Sequence, residues 1–273
     1  MAFVQDSSDQ NNTSTEIALP CTHMTRDEPA KDGWFAEYLE LSRQPLHALV
    51  LLGPLAVLYE FWSNLYLRDA STGQTDTVVA HKQIITFFET FGAFGRYLPG
   101  AALIAVLVAW HIMKRDPWRV HLGVVAGMVL ESVAWALPLT VLGIVAVMAP
   151  MAGADLHDLS WQARATIALG AGLYEELVFR MILLAALHMV FVDVARMPEK
   201  WGGVLAVVIS AVAFAAYHRS VGIDQPALMG FFFLAGVYLA VLFVTRGLAI
   251  ACLVHVIYDL VALVLLGLLQ GAG

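Results

Sequence analysis

Charge is scarce in this sequence. Only 14% of its 273 residues are Asp, Glu, Lys or Arg, against about 25% in an ordinary soluble domain. Hydrophobic residues make up 60%, and the mean hydropathy is +0.74. A soluble chain of this length would lack polar cover for so much apolar surface. That excludes a soluble globular enzyme and a disordered protein. Positive charge is scarcer still. The 15 Lys and Arg against 22 Asp and Glu give a net charge of −7, which excludes a nucleic-acid-binding surface. Cysteine is almost absent. Cys21 lies in a polar stretch and Cys252 in an apolar run, so neither a disulfide nor a Cys-based metal site is expected.

What charge there is falls unevenly. Residues 1–40 hold eight acids and two bases, so the acidity belongs to a tail and the remainder is nearly neutral. Residues 1–32 lack apolar periodicity and read as a disordered acidic tail. Residues 33–45 place Trp34, Phe35, Tyr38 and Leu41 at helical spacing ahead of Pro45, which predicts a short helix at a membrane interface. Seven apolar runs follow, near 46–67, 97–113, 120–149, 163–192, 202–218, 227–245 and 248–269. A spanning helix needs about 20 apolar residues. The expectation is therefore an all-α, polytopic transmembrane bundle of about seven to eight spans. The stretch 84–95 is apolar but short, and is read as interfacial, re-entrant or part of an eighth span. The two longest runs must tilt, protrude or break, with Pro138 a kink candidate in the third. Lys and Arg in the connections favour a cytoplasmic N-terminus.

Ionisable groups left at membrane depth are costly and are functional candidates by default. They are Glu60, Glu131, Glu175, Glu176, Arg180, His218, His255 and Asp259. Glu176 and Arg180 stand four apart, so they face the same way and can pair. Glu175 points roughly 100° around the helix from Glu176 and is left without the arginine. His255 and Asp259 share a face, as do Phe214 and His218. A carboxylate one turn from an imidazole fixes its tautomer and orientation. Glu60 and Glu131 either line the same cavity or hydrogen-bond another helix, and the structural reading is favoured. His47, His81, His111, His121, His157 and His188 lie at run ends or in connections and receive no role. Gly170, Gly172 and Gly236 would let helices approach closely.

The stretches EELVFR at 175–180, FAAYH at 214–218 and HVIYD at 255–259 resemble those of the CPBP (CAAX protease and bacteriocin-processing) family of intramembrane proteases. The resemblance covers about 163–269. It implies peptide-bond hydrolysis by a water activated by Glu175 with His218. Glu176 and Arg180 would hold the architecture, and His255, supported by Asp259, would stabilise the oxyanion. Prenyl-protein proteases of the family usually carry Asn where Asp259 stands. An ionised Asp cannot donate to an oxyanion, so here it is expected to orient His255. Met181 replaces a common Gly after the arginine.

The same resemblance implies membrane lipids and a membrane-associated peptide or protein substrate, prenylated in part of the family, as partners. Residues 46–162 would be N-terminal transmembrane helices and 163–273 the catalytic core. The chain is expected to be an integral protein of a bacterial cytoplasmic membrane. No cofactor is expected. The alternative is zinc held by Glu175, His218 and His255, a His₂Glu set, although the His-Glu-x-x-His signature is absent. Two other function classes stay open: a proton-coupled transporter using the intramembrane acids, and a non-catalytic membrane scaffold of the same family.

Overall fold

A computed structural model describes residues 33–68, 75, 77–147, 159–220 and 226–265. The acidic tail expected over 1–32 lies outside the described residues. Helices dominate, and no strand is present among the described residues, only one isolated bridge between Arg68 and Thr75. A short helix α1 (Trp34–Leu41) precedes α2 (Pro45–Tyr66), which starts on a proline. Proline suits that position because its missing N–H would have no helical partner there. Next come α3 (Val79–Thr90), α4 (Leu98–Lys114) and α5 (Leu122–Val147). The 84–95 stretch thus belongs mostly to α3, twelve residues long and too short to span.

The fourth apolar run forms one continuous helix, Trp161–Val194. It begins as α6 (Trp161–Glu176), widens into a π-helical segment (Leu177–Leu184), tightens as α7 (Ala185–His188) and widens again at Met189–Val194. Ser160 caps its start by accepting from the Ala163 amide at 3.2 Å, one of the donors a helix start leaves unpaired. Helices α8 (Glu199–Ser220), α9 (Pro226–Arg246) and α10 (Leu248–Asp259) complete the bundle, with a last π-helical segment at Leu260–Leu265. Gly247 alone separates α9 from α10, at φ 90°, a left-handed conformation that favours glycine.

Among the described residues five helices are long and apolar enough to cross a membrane: 45–66, 122–144, 161–194, 199–220 and 226–246. Leu98–Lys114 and Leu248–Val264 are shorter apolar helices. The protein is an all-α integral membrane bundle. Its centre is α6 against α10. Thirteen of the sixteen α6 residues are buried, as is every α10 residue from Leu248 to Val256. Apolar burial gains little in lipid, so such contacts rest on close packing of small residues. Gly172 shows this directly. A Cβ there would stand 2.7 Å from the Val256 backbone nitrogen, so α6 and α10 touch backbone to backbone.

A charged clamp secures the N-terminal side. Arg246, at the end of α9, pairs with Glu131 of α5 at 2.6 Å, and reaches the Ser42 hydroxyl at 3.1 Å. Tyr38 of α1 donates to Glu131 at 2.5 Å, as does the Trp135 indole at 3.1 Å. Burial, then the Glu131 carboxylate, push the Tyr38 phenol above its ordinary pKa, so it stays a donor. Arg43 also donates to the Thr245 carbonyl. Glu131 is thus occupied by other helices and lies outside the cavity described below. Removing one partner of a mostly buried ion pair strands the other. Glu131→Gln and Arg246→Met should therefore each cost about 3 kcal/mol in thermal unfolding in detergent. The double variant should cost less than the sum; strictly additive losses would contradict the clamp.

Candidate active site

The site begins where α6 widens. Glu175 and Glu176 close α6, and the π-helical segment starts at Leu177. Such segments occur often at functional sites. Glu176 and Arg180 are fully buried and pair at 2.8 Å. The Arg180 guanidinium lies 4.3 Å over the Phe214 ring of α8 and donates to the Gly236 carbonyl of α9 at 3.3 Å. A Cβ at Gly236 would stand 3.0 Å from the Ala211 Cα, so α8 and α9 are also in near-backbone contact there. One arginine therefore gathers three helices.

The same Glu176 oxygen that meets Arg180 also meets His255 Nδ1 of α10, at 2.8 Å. A carboxylate between two donors fixes the imidazole with its proton on Nδ1. The other ring nitrogen, Nε2, stands 3.5 Å from Asp259 Oδ2. The sequence reading gave the orientation of His255 to Asp259 and paired Glu176 with Arg180 alone. The shorter contact is with Glu176. Asp259 instead faces the nitrogen on the cavity side, and both line the cavity.

His218 is set differently. Its Nδ1 lies 2.9 Å from the Phe214 carbonyl. A carbonyl only accepts, so Nδ1 carries the hydrogen and a neutral ring leaves Nε2 as an acceptor. The ring stacks on Phe232 at 3.8 Å and 17°, which fixes its plane. Nε2 then faces Glu175 Oε2 at 3.7 Å, beyond direct hydrogen bonding. That carboxylate oxygen is buried with no hydrogen-bond partner among the described residues. A water seated in the adjoining cavity, beside this pair, would be within reach of both atoms.

A cavity of about 60 Å³ joins these groups and is lined by Glu175, His218, His255 and Asp259 together with Phe214 and Tyr258. It is large enough and polar enough to hold water. For the alternative zinc set, among the described residues no three His, Cys, Asp or Glu side chains are grouped so as to hold a metal ion.

A second cluster flanks the site: Glu60 was read from the sequence as a hydrogen-bonder of another helix, whereas its partners Tyr174, His81 and Thr77 were missed. Tyr174, next to Glu175, donates to Glu60 Oε1 at 2.7 Å. Buried His81 faces the same oxygen at 3.3 Å, with Thr77 at 3.2 Å on its other nitrogen. The Ala80 amide donates to the Tyr217 hydroxyl at 3.1 Å, next to His218. The i, i+4 spacing of Thr77 and His81 was the available signal.

Residues 158–261 match the family model described as Type II CAAX prenyl endopeptidase Rce1-like. The match runs from just before α6 into the last π-helical segment and includes Glu175, Glu176, Arg180, His218, His255 and Asp259. No curated protein and no solved structure matches the chain.

The two adjacent glutamates should behave oppositely on substitution. Glu176→Gln weakens a buried ion pair shared with two partners and should destabilise by about 3–5 kcal/mol. Glu175→Gln breaks no arginine pair and should leave stability within about 1 kcal/mol, because a buried carboxylate is itself costly. Thermal unfolding in one detergent compares them; equal losses would contradict the division.

Proposed function

From the match of residues 158–261 to the Type II CAAX prenyl endopeptidase Rce1-like model, we propose that this chain is an intramembrane endopeptidase of the CPBP/CAAX protease family that hydrolyses peptide bonds with a water activated by Glu175 and His218. The observation that carries this reading is the unpartnered Glu175 oxygen facing His218 Nε2 across a polar cavity. A water held there donates one hydrogen to each acceptor. Its lone pairs then point into the cavity, toward an incoming carbonyl carbon. As the oxygen attacks, Glu175 takes the proton, acting as general base. The new C–O bond forms while the carbonyl π electrons move onto oxygen.

The tetrahedral oxyanion needs a donor in place before charge develops. His255 supplies it as an imidazolium that has taken a second proton from solvent before substrate binds, with Nδ1–H on Glu176 and Nε2–H, which faces Asp259 at rest, donated to the oxyanion. Asp259 stands beside that nitrogen and positions the ring's cavity edge. Collapse of the intermediate breaks the C–N bond, and Glu175 returns its proton to the leaving amine. Glu176 and Arg180 stay out of the proton transfers and hold His255 and α9 in place. No step requires a metal, and this scheme uses none.

The substrate is a membrane-associated peptide or protein, a class that takes in prenylated C-termini, and the location is a bacterial cytoplasmic membrane. The transporter reading finds less support, since Glu131 is clamped by Arg246 and Glu60 is hydrogen-bonded by Tyr174. The test is cleavage of a membrane peptide by purified protein in vesicles. Glu175→Gln and His218→Ala should each cut the rate at least about 10³-fold, as loss of a general base does at the stronger end of its range. His255→Ala should lose about 10²–10³-fold. Full cleavage by folded Glu175→Gln and His218→Ala would overturn the proposal. Chelators should leave wild-type turnover unchanged; a loss restored by added zinc would replace the metal-free scheme.

A further inference from the structure

On the far side of the Arg180–Gly236 contact lies a groove of about 960 Å³, much larger than the catalytic cavity. Its floor is the first half of α8, with Val204 and Val208. One wall is the end of the long helix, with Leu184 and Met189, and the other is the second half of α9, with Val237 and Val241. Both walls pack on α8 and leave a trough between them. Val204 is 50% exposed and Val241 48%, so the trough is open along its length. All three helices belong to spans long enough to cross a membrane, so this apolar trough opens toward lipid.

The polar residues of the groove gather at one end. Asp193 lies next to the last residue of the long helix, Glu199 and Lys200 begin α8, and Thr245 lies next to the last residue of α9. His188 stands between this end and the apolar part. Trp201, 62% exposed, sits beside Lys200 with the ammonium 5.8 Å from its ring. An exposed Trp at a helix end marks the level of lipid head groups. From Lys200 to Val208 the helix runs about 12 Å, enough for roughly half an acyl chain. An occupant therefore has a long apolar tail and a head group at the charged mouth. That mouth carries two carboxylates and one ammonium. It complements a head group that offers a phosphate to Lys200 and a hydrogen-bonding cation to Asp193 and Glu199.

We infer that this groove holds a resident phospholipid with a zwitterionic, primary-amine head group of the phosphoethanolamine type. Its acyl chain fills the trough between the end of the long helix and α9. The inner end lies against Leu184 and Val237, one turn beyond Arg180 and one residue beyond Gly236. The lipid thus props apart the two helices that Arg180 ties together. The site is separate from the catalytic cavity and does not depend on the protease reading.

The experiment reconstitutes the full chain in vesicles of equal parts phosphatidylethanolamine and phosphatidylglycerol, extracts it in mild detergent, and reads bound lipid by native mass spectrometry. One charge-assisted hydrogen bond corresponds to roughly a tenfold preference, so wild type should retain phosphatidylethanolamine over phosphatidylglycerol by about that factor. Val204→Trp, at an exposed position, should lose the bound lipid while eluting as the folded protein. If that variant does not fold, the double variant Asp193→Lys, Glu199→Lys decides. It should keep a bound lipid and prefer phosphatidylglycerol. Bound lipid that mirrors the vesicle composition, or a preference unmoved by the charge reversal, would overturn the inference. So would a groove that holds a prenylated peptide in place of phospholipid.

Discussion

One oxygen of Glu176 holds the site together. It is fully buried and meets Arg180 and His255 at 2.8 Å each. A lone carboxylate at membrane depth would be expelled or neutralised. With two donors it stays, and each donor is fixed by another helix. Arg180 is held by Phe214 of α8 and Gly236 of α9, and His255 belongs to α10. The packing around this oxygen is correspondingly tight. Gly172 brings the α6 and α10 backbones together within a turn of it, so the distance between Glu176 and His255 is set by backbone contact rather than by flexible side chains. Glu175 is freed by this arrangement. Its neighbour carries the structural charge, and its own oxygen is left facing His218.

Much of this was legible in the chain. The apolar runs mark the helices to within a few residues, because membrane helices need length and apolarity together. The Glu176–Arg180 pair follows from i, i+4 spacing alone. What spacing could not reveal were contacts between distant segments. Glu176 reaches His255 across 79 residues, and Glu131 reaches Arg246 across 115. Helical periodicity assigned His255 its local partner, Asp259, and the tertiary contact proved shorter. The π-helical widening after Glu176 was equally hidden. Within it the Ser210 hydroxyl of α8 donates to the Phe179 carbonyl at 2.8 Å, a contact that local spacing does not reveal. The apolar run near 97–113 was read as a span, and as a helix, Leu98–Lys114, it is shorter than the five long apolar helices. The run near 248–269 continues past the described residues.

The two halves of the chain divide the work. The family match begins at residue 158, and every residue of the three motifs follows it. The preceding helices carry acids of their own, but these are bound up in support. Glu131 clamps α1, α5 and α9 through Arg246 and Tyr38. Glu60 anchors Tyr174, the residue before Glu175, and is joined there by His81 of α3. The N-terminal helices thus act on the site by holding the α6 segment that bears it.

The most direct measurement is an experimental structure of the Glu175→Gln protein bound to an uncleaved membrane peptide. The scissile carbonyl carbon should lie in the cavity about 3–3.5 Å from a solvent molecule held between residue 175 and His218 Nε2. Its oxygen should point toward His255. A peptide bound elsewhere, or a side-chain nucleophile rather than solvent facing that carbon, would contradict hydrolysis by Glu175 and His218.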